Sequence, residues 1–216
     1  LVPTYCSAWV HTRIERAALV RLHPGVPEAA LDQALDTLLT LDAAKTLVQT
    51  NEDKYKLLRD GVPVQVRWPD GRESSEKLAV IDFDRPDDPT RNEFLCVQEL
   101  WLEGGPAPVR PDVLGFVNGL PLLFIEFKRQ DKDLKVAFDD NYTRYLQDLP
   151  ALFAFNALVV LSDGFDARFG TITSPWEHFY RWKRLNEADP DPAPKDEEEP
   201  LAAVLPILLR GMCLPS

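Results

Sequence analysis

The sequence predicts an α/β fold: a mixed central β-sheet flanked by helices, with a helical region ahead of it. Three observations lead there. Residues 9–58 carry apolar side chains three and four apart, the spacing of one helix face. From residue 60 the apolar period drops to two, as along a half-buried strand. Beyond residue 130 the two periods alternate, and helices, then strands, then helix–strand alternation is the pattern of a mixed sheet.

The elements follow in order. Val10, Ile14, Ala17 and Ala18 recur at helical spacing, as do Leu31, Ala34, Leu35 and Leu38. His23-Pro24-Gly25 separates the two helices, and Pro27-Glu28-Ala29 suits the first turn of the second. After the turn at Asp60-Gly61, Val62, Val64 and Val66 alternate with Pro63, Gln65 and Arg67, a strand with one buried face. Pro63 gives no N–H to a ladder, so this strand lies at a sheet edge or Pro63 lies near its start. Further strands are expected over residues 77–83 and 94–102. Residues 112–117 and 122–128 pair around Asn118-Gly119, a dipeptide that tolerates the positive φ of a tight hairpin turn. A helix is expected over 133–149, stopped by Pro150, then a strand over 157–161, the turn Ser162-Asp163-Gly164, a strand over 168–173, and an aromatic-rich helix over 175–185. Residues 187–200 carry seven carboxylates against one lysine and read as a solvated linker. The expected organisation is a helical region over 1–58 packed on the core, the sheet-bearing core over 59–186, the acidic linker over 187–200, and over 201–216 a docking helix or the start of a following segment.

Composition excludes several classes. With 45% hydrophobic residues in 216, the chain can bury one sizeable core. No run approaches the roughly 18 apolar residues of a membrane span, so no membrane association is expected. Residues 1–10 are too short and too polar for a signal peptide, and a start at Leu1 reads as part of a longer protein. Cys6, Cys96 and Cys213 are far apart and form no CxxC pair, which disfavours zinc and fits a reduced cytoplasmic compartment. His11, His23 and His178 have no neighbours that suggest a metal or a nucleophile, and His178 reads as a packing residue. There is no GxxxxGK[ST] phosphate loop. The net charge of −11 lacks the basic footprint of a nucleic-acid binder, but the linker supplies −6 of it, so a local basic patch elsewhere can still meet phosphates.

Chemistry concentrates in RPDVLGFVNGLPLLFIEFKR, residues 110–129. Asp112 opens one apolar strand; Glu126 and Lys128 close the next. A carboxylate inside LLFIEFK is costly to bury unless it is paired or binds a metal. Glu126 and Lys128 are two apart and share a face. Two carboxylates and a lysine at one sheet end suit Mg²⁺, a hard cation that keeps waters for a substrate phosphate. The pattern of Asp, thirteen residues, Glu, any residue, Lys is loose by itself and also fits a chance ion pair. It carries a geometric condition. A strict two-residue turn would set Asp112 opposite Ile125, leaving Glu126 on the other face. The site therefore requires a three-residue loop or a bulge, with Gly119 left-handed; Pro121, which cannot donate to the ladder, favours such an irregularity.

Pro111-Asp112 followed by Glu126-Phe127-Lys128 on the next strand resembles the PD-(D/E)xK nuclease superfamily. The stretches NEFLCVQELWLEGG, RPDVLGFVNGLPLLFIEFKR, LFAFNALVVLSDGFDARFGTITSPWEHFYRWK and NEDKYKLLRDGVPVQVRWPDG, with VIDFDRP after the last, resemble the N-terminal nuclease region of the R subunit of type I restriction–modification enzymes. The resemblance spans residues 13–185 and implies a restriction-endonuclease-like core. It implies Asp112 and Glu126 as ligands of Mg²⁺ (Mn²⁺ able to substitute), the Phe127 carbonyl as a third ligand, and Lys128 as the catalytic lysine. A QxxxY motif of that family matches Asn141 to Tyr145, with Asn141 one methylene shorter than the glutamine. An acidic residue on the first core helix is also expected; Glu15 and Glu28 are candidates. The implied partners are double-stranded DNA and the methylation and specificity subunits of the restriction complex, with ATP bound only by a downstream motor.

Arg110, Arg129, Lys132, Lys135 and Arg144 lie near the segment and either position phosphates or are ordinary solvated charges. Trp176, Phe179, Tyr180 and Trp182 either stack bases or, as aromatic stripes more often do, fill a core. Two further readings compete: a catalytically silent module docking a motor onto a methyltransferase complex, and a PD-(D/E)xK nuclease of another system.

Overall fold

The computed structural model describes residues 7–85, 88, 90–130, 133–164, 166–182 and 204–213. Three helices come first, α1 (Ser7–Leu22), α2 (Glu28–Leu39) and α3 (Leu47–Asp60). Gly25, at φ 91°, makes the turn into α2. A capping box of Thr46 and Gln49 opens α3. The buried Lys54 ammonium on α3 donates to the carbonyls of Thr37, Leu38 and Thr40 at the end of α2, where a cation is favoured. Among the described residues no helix is long and apolar enough to cross a membrane.

Two sheets follow. Strands β1 (Val62–Arg67) and β2 (Glu73–Leu78) form a separate antiparallel pair. Val62, Val64 and Val66 alternate inward and pack on Ala30, Leu31, Ala34 and Leu35 of α2. The strand expected over residues 77–83 is displaced: β2 ends at Leu78. Val80 and Ile81 are buried, but side chains rather than a ladder satisfy the backbone there. Asn118 donates to the Val80 carbonyl, a ring nitrogen of His23 meets the Ala79 carbonyl, and Asn92 bonds both backbone groups of Asp82.

The central sheet is five-stranded and mixed, in the order β3 (Phe94–Gln98), β4 (Val113–Val117), β5 (Leu120–Phe127), β6 (Leu158–Ser162), β7 (Ala167–Gly170). Only β5 and β6 run parallel. The connection between them is helical: α4 (Leu134–Val136), a π-helical stretch (Ala137–Tyr142) and α5 (Thr143–Asp148). Its Tyr142 and Tyr145 pack against Leu114, Phe124 and Leu161. On the opposite face Val113, Ile125 and Val160 pack with Leu208 of α6 (Val204–Cys213). The helical region is tied to this layer through Asn51 of α3, whose amide donates to the carbonyls of Phe153, Ala154 and Asn156.

Three expectations are corrected at the periphery. β3 ends at Gln98 because Glu99 takes φ 50° and turns the chain; Leu102 returns only as an isolated bridge to Val109. β7 ends at Gly170, whose bare Cα faces the Phe179 ring; a Cβ there would lie 2.7 Å from it. The aromatic-rich helix is a single 3-10 turn at Trp176–His178, after which Tyr180 bridges back to Phe169. Phe179 is core, whereas His178 is exposed and stacks on Tyr180 instead of packing inward. The acidic segment 187–200 lies outside the described residues, as do 183–185.

The hairpin that carries the chemistry meets its register condition. Asn118 (φ 50°) and Gly119 (φ 85°) form a two-residue turn with both φ values positive, the type whose twist suits a hairpin. Val117 pairs with Leu120 and Phe116 with Pro121, but Gly115 pairs with Leu123. Leu122 is therefore the extra residue of a bulge, and its carbonyl is taken by the Ala157 N–H and the Asn156 amide. From there Val113 opposes Ile125, so the next position brings Asp112 opposite Glu126 on one face.

Asn118 locks the turn. It is 1% exposed, accepts from Arg21 of α1 (2.8 Å) and from the Glu93 N–H (2.8 Å), and donates to Asn92 and Val80. Asn118→Ala should cost about 2–4 kcal/mol in chemical denaturation, from unpaired buried groups plus a side chain at positive φ. Asn118→Gly accepts the φ and should cost about 1 kcal/mol less than the alanine variant. Midpoints equal to wild type for both would show that this network does not hold the turn.

Candidate active site

Three side chains converge where β4 begins and β5 ends. Asp112 precedes β4, and its Oδ2 accepts the Phe127 N–H at 2.7 Å, which fixes the carboxylate against the neighbouring strand. Glu126 is 3% exposed and shares the face of Phe124, beneath the π-helical stretch. Lys128 lies just past β5; its N–H donates to the Ser162 carbonyl at 2.8 Å, extending the parallel pairing with β6 by one bond.

Asn141 links two of them. Its Nδ2 donates to Glu126 Oε1, and its Oδ1 accepts from Lys128 Nζ at 2.9 Å. It sits in the π-helical stretch, where the Thr143 N–H and hydroxyl both bond the Phe138 carbonyl five residues back. A π turn holds more residues than an α turn and re-aims the side chains it carries, and such stretches cluster at functional sites. Tyr145, one turn on, is buried; its hydroxyl donates to the Arg110 carbonyl at 3.2 Å. Both positions of the QxxxY-like stretch thus touch the segments bearing the carboxylates and the lysine.

Burial pushes the Glu126 carboxyl up from 4.5 to about 7; the negative charge of Asp112 adds to this, and hydrogen bonding from Asn141 and the charge of Lys128 offset part of it. Glu126 Oε2 is buried with no hydrogen-bond partner. A desolvated, unpaired carboxylate oxygen on the same face as a second carboxylate is poor local chemistry unless a cation joins them, so the donor set fits a divalent ion. Among the described residues no three His, Cys, Asp or Glu side chains form a cluster, so such an ion would take two carboxylates and complete its shell with a carbonyl and water, as Mg²⁺ does.

The surrounding expectations divide. Arg110 and Arg144 are exposed beside the site, each stacked on a ring: Arg110 over Trp101 at 5.5 Å and Arg144 over Tyr145 at 5.4 Å. Arg129 is exposed directly after Lys128. Lys135 is engaged by Asp139, and Lys132 lies outside the described residues. Phe127 is the last residue of β5 and is 37% exposed. Glu28 is exposed and paired with Arg16. Glu15 is 4% exposed with Oε2 unpartnered, and burial pushes it to about 7, but no described contact joins it to Asp112 or Glu126. Sequence reasoning missed Ser162, which acts through its backbone carbonyl and so leaves no side-chain signal.

A family model described as type I restriction enzyme R protein N terminus matches residues 9–178. The chain is 34% identical over 176 residues to the type I restriction enzyme HindI endonuclease subunit of Haemophilus influenzae, covering 80% of this chain and 16% of that protein. It is 32% identical over 141 residues to the putative type I restriction enzyme MjaIXP endonuclease subunit of Methanocaldococcus jannaschii, covering 62% and 13%. A Staphylococcus aureus relative, the type I restriction enzyme SauMSSORF170P endonuclease subunit, is 25% identical over 138 residues, covering 64% and 14%. The chain therefore spans less than a fifth of each relative's length. Its match to the family model covers most of its own length, and the chain belongs to the N-terminal region of type I restriction enzyme R proteins.

Proposed function

We propose that this chain is the Mg²⁺-dependent endonuclease region of a type I restriction enzyme R subunit, hydrolysing phosphodiester bonds of double-stranded DNA. One observation carries the reading: the buried, unpartnered Glu126 oxygen on the same face as Asp112. Asp112 and Glu126 would hold the ion, with the Phe127 carbonyl as a further ligand. Bound Mg²⁺ would stabilise charge developing on the phosphate and on the leaving 3′ oxygen. Lys128, held by Asn141 at 2.9 Å, would orient the attacking water and balance its growing negative charge. Asn141 orients both Glu126 and Lys128, and Tyr145 anchors the Arg110 backbone ahead of Asp112. Arg110, Arg129, Lys132 and Arg144 would bind backbone phosphates, which position DNA without reading its sequence. Sequence recognition would then belong to a specificity subunit, methylation to a companion subunit, and ATP-driven translocation to a motor in the remainder of the R subunit. A DNA substrate of this kind places the work in the cytoplasm.

In the full-length R subunit assembled with its partners, Glu126→Ala and Lys128→Ala should each lower plasmid cleavage by about 100-fold or more while assembly and ATP hydrolysis persist. Cleavage that survives both substitutions would leave the silent docking module as the better reading.

The metal-free chain should also show a defined pH dependence. Glu126 is raised from 4.5 to about 7 on folding, so the stability it contributes is complete below 4.5 and is lost as pH rises through 7. Glu126→Gln removes that loss: by urea denaturation it should match wild type near pH 4 and exceed it by up to about 3 kcal/mol at pH 8. The same variant should no longer bind Mn²⁺, and wild-type Mn²⁺ affinity should fall as pH drops below 7, because the ligand must be deprotonated. Equal stability of the two proteins at pH 8 would mean that Glu126 is not desolvated.

A further inference from the structure

Beside the carboxylates, the chain holds one exposed cation with more restraint than stability requires. Glu99 ends β3 at φ 50°, a conformation that costs a non-glycine residue about 1 kcal/mol or more. Its N–H still bonds the Asp112 carbonyl at 2.9 Å, so the turn is anchored to the residue that opens the candidate site. Paired bonds of 2.9 Å between Leu102 and Val109 close the loop that follows, which sets Trp101 against Arg110. The Arg110 guanidinium lies 5.5 Å from the centre of the Trp101 ring, and Glu99 Oε2 meets it at 3.4 Å. Tyr145 fixes the Arg110 backbone at 3.2 Å. Both charged side chains are exposed, 45% for Arg110 and 61% for Glu99. An ion pair so open to water contributes little to folding, so stability does not account for the Glu99 carboxylate being set against Arg110.

We propose that Glu99 and Trp101 are positioning residues that hold Arg110 as a phosphate-binding arm, the Glu99 carboxylate occupying the guanidinium until a phosphate of the DNA strand passing Asp112 displaces it. The inference rests on the nuclease reading and deepens it. A guanidinium stacked on a ring still presents its edge, and the N–H groups of that edge donate to two oxygens of a carboxylate or of a phosphate in the same manner. Glu99 thus keeps the arm in its binding posture in the absence of DNA. Arg110 is two residues from Asp112, so a phosphate gripped there lies close along the backbone to one held at the carboxylates.

The test is duplex binding by the chain in Ca²⁺, over a range of salt, with single and double variants. Arg110→Ala should weaken binding about 10-fold and reduce the salt slope by about one. Trp101→Ala should weaken it about threefold, Trp101→Phe less, and Glu99→Gln should tighten it about threefold by removing the competing carboxylate. In the Arg110→Ala background the Trp101 and Glu99 substitutions should have no further effect, which a general loss of negative charge or of loop packing would not produce. The proposal is overturned if Glu99→Gln leaves affinity unchanged, if Trp101→Ala or Glu99→Gln acts as strongly without Arg110 as with it, or if the wild-type chain fails to bind duplex at low salt. Mn²⁺ binding in the same variants should be unaltered; loss of Mn²⁺ binding in wild type itself would instead count against the nuclease reading.

Discussion

A carboxylate taken out of water must be protonated, hydrogen-bonded or joined to a cation, and Glu126 imposes that choice on its end of the sheet. One of its oxygens has Asn141 and the other has nothing. Replacing it with an apolar residue would relieve the cost and continue the hydrophobic run of β5. The sequence instead places a second carboxylate opposite it and a lysine two residues on. The charge of the first makes ionised Glu126 costlier still and the charge of the second offsets part of that cost, and together they make sense of a charge where the core would otherwise close.

That convergence depends on an event three residues from Asp112 along β4 and four from Glu126 along β5. The tight turn alone would set Asp112 and Glu126 on opposite faces; the extra residue at Leu122 reverses the parity. Two features make the bulge the lower-energy path. Pro121 cannot donate to the ladder, and the Leu122 carbonyl finds both Ala157 and Asn156. Gly115 completes the arrangement, since a Cβ there would stand 3.0 Å from the Leu123 Cβ. The turn itself is held from outside the sheet by Arg21 of the first helix, so the helical region bears on the geometry of a site that it does not touch through any described contact.

How far the sequence speaks differs between elements for physical reasons. The Asn118-Gly119 turn, the shared face of Glu126 and Lys128, and the need for an irregularity are legible because they follow from local backbone geometry. The apolar run at residues 79–83 misleads because burial and strand pairing are different things: His23, Asn92 and Asn118, distant in sequence, supply the hydrogen bonds that a ladder would have given. The aromatic segment after Pro175 misleads likewise, since Phe179 is buried by fitting over Gly170 and not by a helical stripe. The π-helical stretch leaves no pattern at all. It alters only which carbonyl an N–H reaches, and nothing in the letters AFDDNY announces that.

Asn141 shows why a neutral residue belongs among charges. Lys128 and Glu126 lie on one face, close enough for the ammonium to lower the Glu126 pKa. A direct ion pair between them would satisfy both and leave neither for a cation or a water. The amide prevents this by offering its oxygen to the ammonium and its N–H to the carboxylate. Each charged group is then oriented and partly satisfied without being neutralised. An asparagine accomplishes this from a side chain one methylene shorter than glutamine, carried on the one turn of the connecting helix that departs from α geometry. An acid there would add a third negative charge, and an aliphatic residue would let the lysine close onto Glu126. The amide is thus the group that keeps a buried carboxyl and a nearby ammonium separately available, the condition any hydrolytic use of this sheet end must meet.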